Sequence, residues 1–382
     1  MTHPVRLLSI GTATPEGSFS QSDAALHAGA VARNGSVPDG SRQSRRASAA
    51  LRVLYERSGV CSRGTVLSES GHDLDSFFPT AGSPGPGTAA RMEIYAAHAG
   101  RLAIDAASAA LRKSGSDAGA ITHLVTASCT GFEAPGVDQQ IIREVGLPSS
   151  VRRTHIGFMG CHAAINALAA AAAFAAQDSS SLVLVVCVEL CSLHFSYAED
   201  SEHRVANALF ADGAGAALIG ASGSDEPAES AAPPVASPSP RIAAFASTLI
   251  EGTEGLMGWR IGDHGFEMNL SPRVPDVLAA RVPAWLDGVL ASQGLDRDAV
   301  ASWAIHPGGP RLLSAITDAM ELPEGADAVS REILASHGNM SSATVLFILE
   351  CMLAGRAGGG DRLPLLAAAF GPGLAGEAML LI

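Results

Sequence analysis

The chain has 382 residues, of which 47% are hydrophobic and only 16% are charged, so it can bury a large core. Its formal net charge of −13 argues against a general nucleic-acid-binding protein, because such proteins need a basic face. None of the six cysteines forms a CxxC pair, and the first residues do not resemble a secretory signal, which predicts a cytoplasmic protein with free thiols and no metal site. The apolar stretch Ala163–Ala176 is too short to cross a bilayer.

Strand-like and helix-like segments alternate along the first 220 residues, which is typical of an α/β fold. The polar segment Ala30–Arg46 and the Gly/Pro-rich segment Pro79–Thr88 predict surface loops. The apolar run Ser181–Val188 predicts a strand that is covered on both faces. The other predicted elements are, in chain order, strand Arg6–Ile10, helix Glu93–Lys113, strand His123–Ser128, a helix from Pro135 to Glu144, helix Cys161–Ala176 and strand Ala214–Ile219.

Residues 221–240 are rich in Ser, Pro, Ala and Glu and predict a flexible linker or insert. We therefore expect an N-terminal half (1–220), this linker (221–240) and a C-terminal half (241–382). The two halves have related layouts, which suggests a pseudo-duplicated core. The elements predicted after the linker are strand Ile242–Leu249, helix Val274–Ser292, strand Ser302–His306, helices Pro310–Met320 and Ser341–Leu353, and strands Leu365–Phe370 and Ala378–Ile382.

Cys161 follows Gly-Phe-Met-Gly and begins an Ala-rich helix. A helix N-terminus carries partial positive charge, which favours the nucleophilic thiolate, although a buried structural thiol is the alternative. Such a nucleophile needs a proton acceptor and hydrogen-bond donors for an oxyanion. His306, at the end of a strand, and Asn339, just before a helix, are candidates, but each alone could be a structural imidazole or a helix cap.

Several motifs, in the same order, resemble those of type III polyketide synthases, the chalcone and stilbene synthase family. They are Gly-Phe-Met-Gly-Cys161, Leu209-Phe210-Ala-Asp-Gly, Gly-Phe266-Glu-Met-Asn-Leu, His306-Pro-Gly-Gly-Pro, Gly-Asn339-Met-Ser-Ser-Ala and Ala369-Phe370-Gly-Pro-Gly. The resemblance runs from Ile10 to Leu374. It implies an α/β, thiolase-like, five-layered αβαβα fold built from two pseudo-duplicated halves, a homodimer, and no cofactor beyond coenzyme A thioesters as substrates.

The resemblance also implies a mechanism. Cys161, paired with His306 as an imidazolium, would take the acyl group of an acyl-CoA starter. His306 and Asn339 would stabilise the enolate that forms when malonyl-CoA loses carbon dioxide, and that enolate would attack the bound acyl group. Repetition and cyclisation would give an aromatic or pyrone polyketide. Phe210 and Phe266 would be gatekeepers between the CoA tunnel and the acyl cavity, and Arg57 would bind CoA.

The family's cavity positions fall on ten residues of this chain, and several depart from the plant pattern. Cys129 stands where plant enzymes carry Thr, and Ala134 replaces a larger Met that reaches across the dimer interface. Cys129 and Cys191 could alternatively be small buried hydrophobic residues. The starter, the number of extensions and the ring closure stay open, and a plant-type chalcone product is disfavoured. The ten positions are Cys129, Thr130, Ala134, Cys191, His194, Met257, Ser341, Phe370, Gly371 and Pro372.

Two alternatives keep the same fold. A ketoacyl-ACP synthase III also uses Cys, His and Asn, but a Gln-Ala-Asn run normally follows its histidine, whereas His306 is followed by Pro-Gly-Gly-Pro. A non-catalytic thiolase-fold scaffold would be indicated by loss of Cys161, His306 or Asn339, and all three are present. A thiolase proper would need a second catalytic cysteine in the C-terminal half, where only Cys351 occurs, inside an apolar helical run.

Overall fold

The computed structural model describes residues 3–34, 42–80, 84–198, 200–221, 239–355 and 362–382. The elements of the N-terminal half are β1 (Val5–Ala13), β2 (Ser18–Ser20), α1 (Gln21–Asn34), α2 (Arg42–Glu56), β3 (Ser62–Gly64), α3 (Leu74–Phe77), α4 (Thr88–Ser114), β4 (His123–Ser128), α5 (Val137–Val145), β5 (Arg152–Gly157), α6 (Ala163–Gln177), β6 (Leu182–Leu190), α7 (Ser201–Leu209) and β7 (Asp212–Ala221). Those of the C-terminal half are β8 (Ile242–Leu249), β9 (Met257–Gly262), β10 (Gly265–Leu270), α8 (Val274–Ser292), β11 (Ser302–Ile305), α9 (Pro310–Ala319), α10 (Ala328–His337), α11 (Thr344–Leu353), β12 (Leu365–Gly371) and β13 (Ala375–Leu381).

Two mixed sheets form the framework. The first has the order β1-β7-β6-β4-β5, in which β6, β4 and β5 run parallel and β7 is antiparallel to both of its neighbours. The second has the order β8-β13-β12-β11, in which β12 and β11 run parallel and β13 is antiparallel to both of its neighbours. The second sheet therefore repeats the order and directions of β1-β7-β6-β4.

The helices complete five layers. α6 and α11 lie between the two sheets, and their side chains join both sheets in one buried cluster. The many alanines of α6, such as Ala164, Ala167 and Ala171, are fully buried, because small side chains let helix and sheet approach closely. α4 and α5 cover the outer face of the first sheet, and α8 and α9 cover that of the second. This is the predicted αβαβα fold, which is confirmed.

The structure differs from the sequence-based elements in several places. The expected loop Ala30–Arg46 is wrong at both ends, because α1 extends to Asn34 and α2 begins at Arg42, while residues 35–41 lie outside the described ranges. The start of α2 is predicted as a loop because its composition is polar. The buried residues of this helix are mainly Leu51 and Tyr55. Most of the expected linker, residues 222–238, also lies outside the described ranges. The hairpin β9–β10 and helices α7 and α10 were not predicted.

Two further properties hold for the described part of the chain. No helix there is long and apolar enough to cross a membrane. No group of three or more His, Cys, Asp or Glu side chains there could hold a metal ion.

Candidate active site

The loop between β5 and α6 carries Cys161. Gly160 has a left-handed φ of 77°, and a Cβ at this position would lie 2.6 Å from Pro372 Cδ, so a glycine is needed where the loop meets the C-terminal half. Cys161 lies in a 3₁₀ turn, Gly160–His162, which leads into α6. The expectation that α6 itself begins at Cys161 is therefore wrong by one short turn. The thiol still lies at the N-terminal end of the central helix layer.

Asn339 and Ser341 lie on the segment between α10 and α11. The Asn339 N–H donates to the Leu209 carbonyl at 2.8 Å, and the Ala211 N–H donates to the Asn339 carbonyl at 2.9 Å. This backbone bridge fastens Asn339 to the residues on both sides of Phe210. The Asn339 Oδ1 accepts the Ser341 N–H at 2.9 Å, which leaves the side-chain amide N–H groups of Asn339 as donors.

Ser341 and Asn339 both act on the thiol of Cys161. Burial raises the pKa of the Cys161 thiol to about 12, against the opposing hydrogen bonds from the Ser341 hydroxyl and the Asn339 side chain. The expectation that the helix terminus would give Cys161 a lowered pKa is therefore not met, because loss of hydration outweighs the nearby donors.

His306 follows the last residue of β11 and is only 1% exposed. Its N–H donates to the Ala368 carbonyl at 2.8 Å, which anchors it to β12. Neither ring nitrogen has a hydrogen-bond partner within the described residues. Burial lowers the pKa of His306 to about 3, and His162, the residue after Cys161, acts in the same direction. An unpartnered buried imidazole is available to exchange a proton or a hydrogen bond with a substrate or a thiol.

Cys161 and His306 complement each other chemically. Burial disfavours a net charge on either group alone, because it raises the pKa of the Cys161 thiol and lowers the pKa of the His306 imidazole. Movement of one proton from a thiol to an imidazole leaves a site neutral overall, and the two opposite charges then stabilise each other. Such a pair can supply a thiolate during the reaction while the resting groups remain uncharged.

A narrow cavity of about 70 Å³ begins at Cys161. Phe266 is 3% exposed and stacks on His194, with ring centroids 4.2 Å apart. Phe210 lies at the C-terminal end of α7. Both phenylalanines line the cavity together with seven of the predicted wall residues, namely Cys129, Thr130, Cys191, His194, Met257, Ser341 and Pro372.

Three predicted wall residues do not belong to that lining. Phe370 packs in the core of the C-terminal half, because the alternation of side chains along β12 turns it toward α8 and α9. Gly371 packs behind the nucleophile loop, where a Cβ would lie 2.5 Å from His162 Cδ2. Ala134 is exposed to solvent. The sequence motif located these positions along the chain but did not determine which way they face.

Glu189 is a functional candidate that the sequence analysis missed. Its carboxylate is fully buried and accepts hydrogen bonds from the Cys129 N–H at 3.0 Å, the Thr130 hydroxyl at 2.7 Å and the Ser342 hydroxyl. Burial raises its pKa, and these hydrogen bonds oppose the rise. The Cys129 thiol lies 3.3 Å from Glu189 Oε1 and 3.2 Å from Ser341 Oγ. The sequence signal that could have identified Glu189 is its position as the one acidic residue near the end of the apolar strand β6.

A surface groove of about 720 Å³, the arginine groove, lies on the opposite side of the α7 C-terminus from the cavity. Leu209 lines the groove and the next residue, Phe210, lines the cavity, so this backbone is the wall between them. The predicted Arg57 lies in the groove and is exposed. Arg311 of α9 also lies in the groove and is exposed. This arginine was not predicted from the sequence, although it directly follows His306-Pro-Gly-Gly-Pro. Two arginines on opposite walls suit a phosphorylated ligand.

Comparison with protein families matches both halves of the chain. The model for the N-terminal domain of chalcone and stilbene synthases matches residues 2–223, and the model for the C-terminal domain of the same family matches residues 241–382.

Similar proteins and solved structures agree with these family matches. The chain is 32% identical over 371 residues to the alpha-pyrone synthesis polyketide synthase-like Pks18 of Mycobacterium tuberculosis, covering 97% of this chain and 89% of the relative. It is 35% identical over 303 residues to the 1,3,6,8-tetrahydroxynaphthalene synthase of Streptomyces peucetius, covering 79% of this chain and 75% of the relative. The structure of PKS-I from the brown alga Ectocarpus siliculosus superposes with a TM-score of 0.86 at 29% identity, covering 100% of this chain and 98% of that one.

Proposed function

The chain belongs to the chalcone and stilbene synthase family, and from this premise we propose which of its residues carry the reaction. It is a type III polyketide synthase, an acyltransferase that condenses malonyl-CoA units iteratively into a pyrone or aromatic polyketide. One observation carries the assignment of residues. The Cys161 thiol lies at a cavity with Ser341 and Asn339 acting on it, and His306, whose pKa is lowered in part by His162 beside Cys161, is buried with both ring nitrogens unpartnered.

Cys161 is the acyl attachment point. Its Sγ attacks the thioester carbonyl of the acyl-CoA starter while the thiol proton passes to His306. The bond between the carbonyl carbon and the CoA sulfur then breaks, and His306 returns the proton to the departing CoA thiolate. The products are an acyl group on Cys161 and free CoA, with the imidazole neutral again.

His306 and Asn339 act on the extender unit. When malonyl-CoA loses carbon dioxide, the electrons of the broken bond form a thioester enolate, whose oxygen accepts hydrogen bonds from the His306 ring and the Asn339 amide. The enolate carbon attacks the acyl group on Cys161, and the bond to sulfur breaks. The lengthened β-ketoacyl chain leaves on CoA, and the Cys161 thiolate is restored for the next cycle.

Phe210 lies in the wall between the arginine groove and the cavity, where a gatekeeper controls passage from one to the other. CoA phosphates bind at Arg57 and Arg311 in the arginine groove, and the acyl arm passes Phe210 into the cavity. Phe210 and Phe266 exclude water, which would otherwise protonate the enolate. The cavity is far smaller than the several hundred Å³ of a typical small-molecule site, so its walls have to move apart to admit an acyl chain.

A homodimer is part of the proposal. Phe132 and Met159 are large hydrophobic residues that are 44% and 39% exposed, close in sequence to Ala134 and Cys161 respectively. Burial of such side chains stabilises association. Sedimentation equilibrium should give twice the mass of the chain, and Met159→Glu should shift it toward the monomer. A wild-type monomer would contradict this part.

The decisive experiment compares Cys161→Ala with Cys61→Ala, which removes an exposed thiol outside the cavity and the groove. Each protein is incubated with malonyl-CoA and a panel of short, long and aromatic acyl-CoAs, and products are read by mass spectrometry. Cys161→Ala should form neither an acyl-enzyme nor a polyketide, whereas Cys61→Ala should behave as the wild type. Polyketide formation by Cys161→Ala would contradict the assignment.

A further inference from the structure

The cavity does not end at the cysteine and its donors. It also reaches a second end between α1, α2 and the residues that follow them. Residues from both ends line the same cavity, and those at the second end are Phe19, Ala24, His27, Tyr55, Arg63 and Leu74. The reaction described above uses none of these residues.

Three of them, His27, Tyr55 and Arg63, form what we call the distal cluster. Their side chains are 5%, 1% and 4% exposed. The His27 Nε2, the Tyr55 hydroxyl and the Arg63 Nε are all buried, and within the described residues none has a hydrogen-bond partner outside the cluster, in which Tyr55 and Arg63 interact with each other. Buried polar groups are almost always fully paired, so this cluster on one cavity wall indicates a place where a polar ligand supplies further partners.

The chemistry of the cluster favours an anion. The Tyr55 hydroxyl and the Arg63 Nε–H are donors, and the guanidinium carries a positive charge. The charge of Asp212 acts on Arg63, while the Asp212 oxygens accept the Ser192 N–H and hydroxyl, both at 2.7 Å, and the Val66 N–H at 2.9 Å. A ligand carboxylate would offer acceptors to the two donors of the cluster.

The distal cluster is also connected to the reaction centre. The Arg63 Nη1 donates to the carbonyls of Asn207 and Phe210, at 2.6 and 2.9 Å. Its Cγ is so close to the segment carrying Asn339 that a Cβ on Gly338 would lie 3.0 Å from it. The cluster thus contacts the main chain that carries Phe210 and Asn339, and it shares a cavity with Cys161.

We propose that His27, Tyr55 and Arg63 form a subsite for the distal carboxylate of a short dicarboxylic acyl chain carried on Cys161. The Arg63 Nε–H and the Tyr55 hydroxyl donate to the carboxylate. His27, whose Nδ1 lies 2.7 Å from Asp75 Oδ1, faces it through Nε2 and donates when protonated. Because the cavity is narrow, side chains at the second end move apart as the chain enters. The inference rests on the proposed role of Cys161.

The test measures starter loading in the absence of extension. Wild type, Tyr55→Phe and Tyr197→Phe are incubated with succinyl-CoA or with 4-methylpentanoyl-CoA, in which an isopropyl group replaces the carboxylate. Acylation of Cys161 is followed by intact-protein and peptide mass spectrometry. Tyr197→Phe is the matched control, because it removes a hydroxyl bound to the Pro79 carbonyl outside the cavity lining. Thermal melting checks that each variant is folded.

Tyr55→Phe should lower the ratio of succinyl to 4-methylpentanoyl loading by about tenfold, the effect of one hydrogen bond to a charged group. Tyr197→Phe should leave this ratio unchanged. If Tyr55→Phe slows both thioesters equally, or changes neither, the hydroxyl is structural and the subsite is refuted. If the wild type does not load succinyl-CoA but loads other acyl-CoAs of the panel on Cys161, the subsite is refuted and the proposed function stands, whereas loading of none of them refutes both.

Discussion

Replacing Asn339 by Ala should separate the two chemical steps. We expect decarboxylation of malonyl-CoA to slow by about 10²–10³-fold, because one preorganised donor to a developing oxyanion contributes that much to the rate. Acyl loading should slow by only about tenfold, since Ser341, which also favours the Cys161 thiolate, remains after the amide is removed. The difference between the two losses therefore measures the share of Asn339 in enolate stabilisation.

The two steps can be measured independently. Release of labelled carbon dioxide from malonyl-CoA reports decarboxylation, and the mass increase of the protein with an acyl-CoA alone reports loading. Asn269→Ala is a matched control, because this exposed amide donates to the Gly255 carbonyl outside the cavity lining. Equal losses of loading and decarboxylation in Asn339→Ala would refute the reasoning. Asn339 would then act by holding the backbone and Ser341 in place.

Three further predictions test the nucleophile, its loop and the groove. His306→Gln should slow iodoacetamide alkylation of Cys161 about 100-fold near neutral pH, because burial raises the pKa of the thiol and the variant has no imidazole to accept its proton. The alkylation rate of this variant should rise about tenfold per pH unit, and a pH-independent rate would contradict the prediction. Gly160→Ala should lower the calorimetric Tm by roughly 2–4 °C, because the φ of residue 160 is left-handed and an alanine Cβ there would clash with Pro372. An unchanged Tm would count against this packing. Arg57→Ala should raise the KM for malonyl-CoA about fivefold at constant kcat, and a fall in kcat alone would place Arg57 outside the phosphate site.

The catalytic motifs could be located from the sequence because each combines a glycine turn with the end of a strand or the start of a helix. The buried strand at Ser181–Val188 and the Ala-rich helix after Cys161 were predictable for a related reason, since long apolar runs leave few alternatives. The five-layered fold followed from family resemblance, which a pattern of alternating elements alone does not specify.

Other features depend on contacts between distant segments. The orientation of Phe370 is fixed by the register of β12 against its neighbours, and the raised pKa of Cys161 depends on how completely the two halves bury it. Glu189 and Arg311 belong to the site only because strands and helices far apart in the chain bring them there. α2 was missed because its composition is polar on average, although its few apolar residues recur with the period of an amphipathic helix.

The backbone bridge between Asn339 and the residues flanking Phe210 has a consequence for how this enzyme can diversify. The entrance to the cavity and a proposed enolate donor share one hydrogen-bonded strip of main chain. Insertions, deletions or prolines in that strip would displace Asn339 together with the entrance. Under the proposed gatekeeper role, exchanging the side chain at position 210 changes the entrance without moving Asn339, whereas remodelling the surrounding loop would displace both. Libraries that aim to change substrate range should vary the side chains on this strip and keep its length.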